Sequence, residues 1–331
     1  MNTQTNPRFD GARVFITGGA GFIGSHIADQ MIAAGAAEIV VLDDFVRGRR
    51  ENLAEASAAG NVRIVEGDVR DADLVDSLTA GCDYVFHQAA LRITQAAEEP
   101  VRAIQVMING TQTVIEAALR HGVKKLLAAS SASVYGEPSY LPMDEGHPFN
   151  NRTLYGAAKI ANEQILRSYA DMHGLDYLML RPFNVYGPRM DVFGVYTEVM
   201  IRWLERLARN EAPVIFGDGL QTMDFIYVED LAREYVLASA SDVTDEVMNA
   251  GSGVETSLRD LCVMLCAAAG KPGVQPVFEP PRKVNPVTRR QASIDKARDL
   301  LGFTTTTSLD EGLRKLVAWH QAVTAREAVA V

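Results

Sequence analysis

The chain has 331 residues, 47% of them hydrophobic and 22% charged, an ordinary balance for a soluble globular protein of one large or two modest domains. Its net charge of −10, with no long basic run, argues against generic nucleic-acid binding and leaves any anionic substrate to specific local arginines. No apolar run approaches the roughly 18 residues of a membrane span, the polar start lacks a signal-peptide layout, and a cytoplasmic protein is expected.

The first predicted strand, "ARVFITG", runs into "GAGFIGSHIADQM", where Gly18, Gly21 and Gly24 separate a strand from a helix. Gly19, Gly21 and Gly24 also satisfy the looser G-x-G-x-x-G spacing. Such glycines permit a tight turn, close approach of a pyrophosphate and close packing of helix on strand. The helix N-terminus then offers free N–H groups and a positive dipole end to phosphate. Alone the motif is weak evidence, but here it opens the first strand-helix unit and is followed by "EIVVLDD", ending in Asp43 and Asp44. Asp43 can accept from a ribose hydroxyl and would repel a 2′-phosphate, which favours NAD over NADP, while Arg47, Arg49 and Arg50 could in principle hold that phosphate. The third run, "NVRIVEGD", ends in Asp68, either an adenine contact or a turn residue. "CDYVFHQA", "KKLLAASS" and "DYLMLRP" continue the series, with helix-period segments such as "GTQTVIEAALRHG" between most of them. This rhythm predicts an α/β fold, a Rossmann-type doubly wound parallel sheet with its ligand beyond the carboxyl ends of the strands.

The fifth run leads into "SSASVYG", and "NRTLYGAAKIANEQILRSY" then places Tyr155 and Lys159 four residues apart on one helix face. Chance spacing makes that pair weak by itself; its place beyond the fifth strand of a dinucleotide fold raises its weight. A Lys ammonium beside a Tyr favours the phenolate, which can take a proton from a sugar hydroxyl while the carbon beneath gives hydride to a nicotinamide. Ser131, at the neighbouring strand end, could bond the same oxygen; the bland reading is an exposed Tyr and a surface Lys.

After Arg181, Gly and Pro become frequent, which suits loops along one wall of a cleft. Residues 1–181 and about 222–249 are expected to form the dinucleotide domain, residues 182–221 and 250–321 a smaller interleaved α/β substrate domain, and residues 322–331 a frayed tail. Of the cysteines, Cys82, Cys262 and Cys266, the last two share an apolar helical stripe, read as buried thiols rather than a metal site. No metal is expected.

Together "TGGAGFIG", "DD", "GDVRD", "HQAA", "SSASVYGEP", "YGAAK", "RPFNVYGPR", "FGDGLQTMDFIYVEDLA" and "DKARDLLGF" resemble the extended short-chain dehydrogenase/reductases, in their nucleotide-sugar epimerase/dehydratase branch, from about Ala12 to Trp319. The resemblance implies a bound, recycled NAD held by Gly18, Gly21, Phe22, Ile23, Gly24, Asp43, Asp44, Asp68, Val69, Ala89, Arg92 and Lys159. It implies Ser131, Tyr155 and Lys159 as the catalytic set and Asn184 at the substrate diphosphate. Val214 and Phe216 fall where the family encloses uracil, and Ser133 adjoins the reacting sugar. Two positions depart. Met223 stands where many relatives carry a diphosphate-binding Arg, for which Lys283, Arg289 or Arg290 are candidate substitutes. Met107 stands where relatives often carry Asn.

Relatives that dehydrate the sugar usually carry Asp-Glu directly after the active-site Thr, and those that decarboxylate UDP-glucuronate carry Glu before "VYG". Here those positions are Ala132 and Ser133. The resemblance therefore implies C4 epimerisation of a nucleotide sugar, a UDP-hexose, through a transient 4-keto sugar. The alternatives are a UDP-glucuronate 4-epimerase with Arg92 or Arg189 at the carboxylate, a dehydratase or decarboxylase, and a non-catalytic NAD-binding regulator. In relatives the helices after the fourth and fifth strands pair across a two-fold, so a homodimer is expected.

Overall fold

The computed structural model describes residues 6–192, 198–281 and 287–330. The six apolar runs form β1 (Arg13–Thr17), β2 (Glu38–Asp43), β3 (Val62–Glu66), β4 (Tyr84–His87), β5 (Lys125–Ala129) and β6 (Tyr177–Pro182). They are followed by β7 (Asn184–Tyr186), β8 (Val214–Phe216), β9 (Thr222–Tyr227), β10 (Glu246–Ala250), β11 (Glu255–Ser257) and β12 (Val277–Glu279). The helices of the first half are α1 (Phe22–Ala33), α2 (Ala54–Ala59), α3 (Ala72–Thr79), α4 (Ile93–Glu98), α5 (Pro100–Ile104), α6 (Gly110–Arg120) and α7 (Leu154–His173). The second half adds α8 (Val199–Ala208), α9 (Val228–Ala240), α10 (Leu258–Ala268), α11 (Asp295–Leu301) and α12 (Leu309–Ala330).

Seven parallel strands make the main sheet in the order β10-β6-β5-β4-β1-β2-β3. The inner strand runs are largely apolar because helices cover both faces, whereas β3 at the edge is half-buried and exposes Arg63 and Glu66. Successive side chains point to opposite sides. Val14 and Ile16 accordingly meet Ile27 and Met31 of α1 and Leu231 of α9, whereas Phe15 joins Val75, Val114 and Leu166 of α3, α6 and α7. Strand order reverses between β1 and β4, which opens the ligand crevice of a doubly wound sheet at their carboxyl ends.

The smaller part packs Trp203, Leu204, Ile215, Leu261, Leu265, Leu313 and Leu316 into a separate core, beside a three-stranded sheet β11-β9-β7 and the pair β12-β8. Cys262 and Cys266 belong to this core as free thiols. The interleaving does not follow the residue ranges read from the sequence at every point. β9 lies in the three-stranded sheet, while α9 and β10 return to the main one. The segment expected to fray is helical, because α12 continues through it to Ala330 from a first half anchored by Leu313, Leu316 and Val317.

Glu234 of α9 is fully buried, and neither carboxylate oxygen has a hydrogen-bond partner among the described residues. Burial pushes its pKa well above the ordinary carboxylate value. A carboxyl raised in the folded state costs nothing below its unfolded pKa and destabilises progressively as pH rises toward the folded one. Glu234→Gln is therefore expected to flatten the decline of stability with rising pH, gaining about 1–3 kcal/mol on the alkaline side. Thermal melts of both proteins across pH check this, and equal slopes would contradict it.

Candidate active site

The chain leaves β1 through Gly18, at φ +67°, where an added Cβ would lie 2.8 Å from the Ala89 backbone nitrogen. A Cβ on Gly24 would lie 2.4 Å from the Gly18 carbonyl oxygen. Both positions require glycine, since the glycine turn, the loop after β4 and the start of α1 are pressed together there. Gly21 caps α1 with no side chain of its own, so the amides of the first turn keep their hydrogens for a ligand. Asp43 Oδ2 accepts from Ala20 N at 3.0 Å and Oδ1 from Phe45 N at 3.0 Å. Burial pushes the Asp43 carboxyl up, and these backbone donors oppose it. Asp43 thus braces the glycine loop as well as lining the cavity.

Around the same end, Asp44 lies 3.8 Å from Arg102, and Asp68 pairs with Arg70 at 2.6 Å. The Arg70 hydrogen bonds hold the Asp68 carboxyl below its usual range. Arg47 is paired with Asp191, and Arg50 lies 3.4 Å from Glu66 and stacks on Phe45. A glycine cradle that a single Cβ would fill, facing unpaired helix amides, fits the pyrophosphate of a dinucleotide.

From this cradle a cavity of about 800 Å³ extends past Gly18, Phe22, Ile23, Val69, Ala89 and Arg92 to Ser131, Ser133, Tyr155 and Lys159. Thr153 caps α7 by accepting from Gly156 N at 3.1 Å, which sets Tyr155 and Lys159 into its first two turns facing the end of β5. The Tyr155 hydroxyl stands beside Ser131, whose Oγ accepts from Ser133 N at 3.1 Å. Lys159 is 4% exposed, donates to the Ala129 carbonyl at 2.6 Å and stands 5.8 Å from the Tyr155 ring centre.

Burial pushes the Lys159 ammonium down to about 8, with Glu163 opposing. Burial raises the Tyr155 phenol, because a buried phenolate loses its hydration. The neighbouring Ser131 and the charges of Arg92 and Arg290 pull it back, with Lys159 directed at a carbonyl.

On the substrate side, Asn184 lines the cavity and donates to the Asp224 carbonyl at 3.1 Å. Met223 also lines it, and the buried Arg290 stands on the same side. Arg289 is elsewhere, paired with Glu255 at 2.5 Å, and Lys283 lies outside the described residues. Val214 and Phe216 are held in the β8-β12 pair and do not line the cavity. Arg92 faces Glu198 at 3.3 Å across the cavity, whereas Arg189 bonds Asp29 at 2.6 Å and does not line it. Glu198 and Arg202 of the α8 region also line the cavity; no sequence motif marks them, since only the fold brings α8 there. Met107 is buried, and its carbonyl accepts from Asn162 at 2.8 Å.

Sheet, glycine cradle and Ser-Tyr-Lys set define an extended short-chain dehydrogenase/reductase. Within that class, residues 14–251 match the model of the NAD dependent epimerase/dehydratase family, and the chain belongs to it. A UDP-glucose 4-epimerase of Mycolicibacterium smegmatis is 37% identical over 312 residues, 93% of this chain and 98% of that one. The structure of a UDP-glucose 4-epimerase from Thermotoga maritima with UDP-glucose superposes with a TM-score of 0.88 at 34% identity, covering 94% and 99% of the two chains. That of a UDP-N-acetylglucosamine 4-epimerase from Methanobrevibacter ruminantium, in complex with UDP-N-acetylmuramic acid, gives 0.89 at 32% identity, covering 95% and 99%. Relatives named as a dTDP-glucose dehydratase and a UDP-sugar decarboxylase also match over most of the chain.

Proposed function

We propose that the protein is an NAD-dependent nucleotide-sugar 4-epimerase acting on a UDP-hexose. The observation that carries this reading is the composition of the strand end beside Tyr155. Ser131 reaches the phenol, but the next two side chains, Ala132 and Ser133, offer no carboxyl to protonate a leaving hydroxyl or assist loss of CO₂. Among the described residues, the cavity carboxylates are Asp43, Asp44 and Asp68 at the dinucleotide end and Glu198, which is engaged by Arg92.

Tyr155 takes the C4 hydroxyl proton, and Ser131 shares a hydrogen bond with the same oxygen. Arg92 and Arg290 favour the phenolate by charge. NAD, when bound in the glycine cradle, supplies the hydride acceptor and donor at C4. Lys159, fixed by the Ala129 carbonyl, holds its remaining N–H groups toward the cavity for ribose hydroxyls. Arg290 is the cation that takes over from the Arg absent at Met223, and Asn184 adds a neutral contact to the diphosphate. NAD is favoured over NADP because Asp43 faces that end while Arg47 and Arg50 are engaged by other groups. A UDP-glucuronate reading loses one of its two candidate cations, since Arg189 is bound to Asp29 and Glu55.

The same reading includes a homodimer. Val101 and Ile104 of α5 are exposed apolar side chains on a helix packed against α7, and light scattering should return twice the 36.0 kDa chain mass. To test the reaction, purified protein is mixed with UDP-glucose and reduced nicotinamide absorbance is followed. A small steady fraction of NADH with formation of UDP-galactose is expected; a 4-keto-6-deoxy product would refute the epimerase reading.

A further inference from the structure

Glu163 lies one turn beyond Lys159 on the buried face of α7, and it is 3% exposed. Its Oε1 accepts from Ser130 Oγ and from Arg181 Nε at 2.8 Å, and its Oε2 accepts from Arg181 Nη2 at 2.7 Å. Arg181, on β6, also donates to the Tyr135 hydroxyl at 2.7 Å and to the Glu145 carbonyl at 3.2 Å. Its guanidinium stacks on the rings of Tyr135 and Phe149. The Tyr135 hydroxyl in turn donates to Asn249 at 2.6 Å. Fixed at both ends, the Glu163 carboxylate has no freedom to move.

A buried ion pair stabilises little, and well-packed apolar residues of the same volume often serve a fold as well or better. Its position accounts for it. Ser130 is flanked by Ala129, whose carbonyl grips Lys159, and by Ser131, which stands beside Tyr155. One carboxylate therefore holds the strand end through which all three catalytic side chains are registered. Four residues apart on α7, Glu163 and Lys159 share its buried face. Of the other charged or titratable groups, His87 from β4 and Tyr155 from its own helix lie near Lys159, while Arg181 from β6 is bound to Glu163 itself. His87 is neutral: Thr111 spends its proton on the Met107 carbonyl at 2.6 Å, so His87 Nε2–H donates to Thr111 and Nδ1 accepts from Thr17. Burial holds that imidazole down to about 3. Of these groups only Glu163 brings negative charge to Lys159 while Tyr155 keeps its proton.

We propose that Glu163 is a positioning residue of the catalytic set, locking the Ala129–Ser131 strand end through Ser130 and supplying the counter-charge that keeps buried Lys159 an ammonium. The proposal rests on reading Tyr155 and Lys159 as the proton-handling pair.

The test uses holoenzyme isotope-labelled at lysine Cε, in which the chain's seven lysines give separate signals and Lys159→Met identifies the one of interest. In Glu163→Gln the Lys159 signal is expected to titrate about one pH unit lower than in the wild type. The alkaline limb of kcat should move with it, while KM for the nucleotide sugar changes by less than about threefold. Ser130→Ala should leave that titration in place and lower kcat by about three- to tenfold through a looser strand end. An unmoved Lys159 titration in folded Glu163→Gln overturns the proposal. Should the Gln variant not fold, Glu163→Asp carries the test. It keeps the charge but withdraws it from Ser130, so the titration should stay and kcat fall; wild-type kcat in both Glu163→Asp and Ser130→Ala would overturn it. The lysine titration needs no turnover. A shifted titration without C4 epimerisation in the wild type would thus condemn the assigned reaction and leave the role of Glu163 standing.

Discussion

Tyr155→Phe is expected to lower kcat for C4 inversion by about 10²- to 10⁴-fold, the range a positioned general base supplies. The phenyl ring keeps the packing of Tyr155 against the core beneath α7, so the melting profile should be nearly unchanged. Only the hydroxyl beside Ser131 is lost. Since the residues proposed to hold the nucleotide lie on the opposite wall, KM should move far less than kcat. The pH profile adds a second readout. Burial raises the phenol, and Ser131, Arg92 and Arg290 counter it. Wild-type kcat should therefore rise with pH as the phenolate forms, and removing either positive charge should move that limb to higher pH. Arg92→Met tests this without touching the Ser-Tyr-Lys set. A Tyr155→Phe enzyme within tenfold of wild type would remove Tyr155 from the chemistry.

Gly24→Ala should be almost as damaging, by a different route. The added Cβ would meet the Gly18 carbonyl oxygen at 2.4 Å and the Gly19 Cα at 2.8 Å, both backbone atoms that cannot rotate aside. Either α1 retreats from β1 or the glycine turn opens, and both withdraw amides from the phosphate position. Losing two such charge-assisted hydrogen bonds, at about 1.5–3 kcal/mol each, weakens dinucleotide affinity by about 10²- to 10⁴-fold. Nucleotide released by denaturing the purified variant, measured against the wild type, reports this directly. Near-stoichiometric NAD in Gly24→Ala would show that the cradle is not where the cofactor is held.

The parts of the molecule legible in the sequence are those fixed by local or short-period signals. Most of the six strands are visible because burial on both faces makes them apolar runs, and the half-buried edge strand β3 still shows Val62, Ile64 and Val65 between exposed Arg63 and Glu66. β10 carries Met248 and Asn249 in a short mixed run, and its membership of the main sheet depends on pairing with β6. The glycine turn, Asp43 and the Tyr155–Lys159 spacing each lie within one element or one turn, and the structure brings them to one cavity. Contacts between distant segments were not legible. Val214 and Phe216 are aligned by a partner strand more than sixty residues away, and Arg189 is claimed by Asp29 of α1. Glu163 continues the spacing of Tyr155 and Lys159 by one further turn, a signal that was present; its meaning appears only with Ser130 and Arg181 in place.

The central claim is inversion at C4 without change at C5 or C6. The most direct measurement is proton NMR of the products from a panel of UDP-glucose, UDP-N-acetylglucosamine, UDP-glucuronate and dTDP-glucose. The expected result is a C4-inverted product from at least one UDP-hexose, approached to the same equilibrium from either epimer. Loss of water or CO₂ from any of them, or no C4 inversion in any, would contradict it.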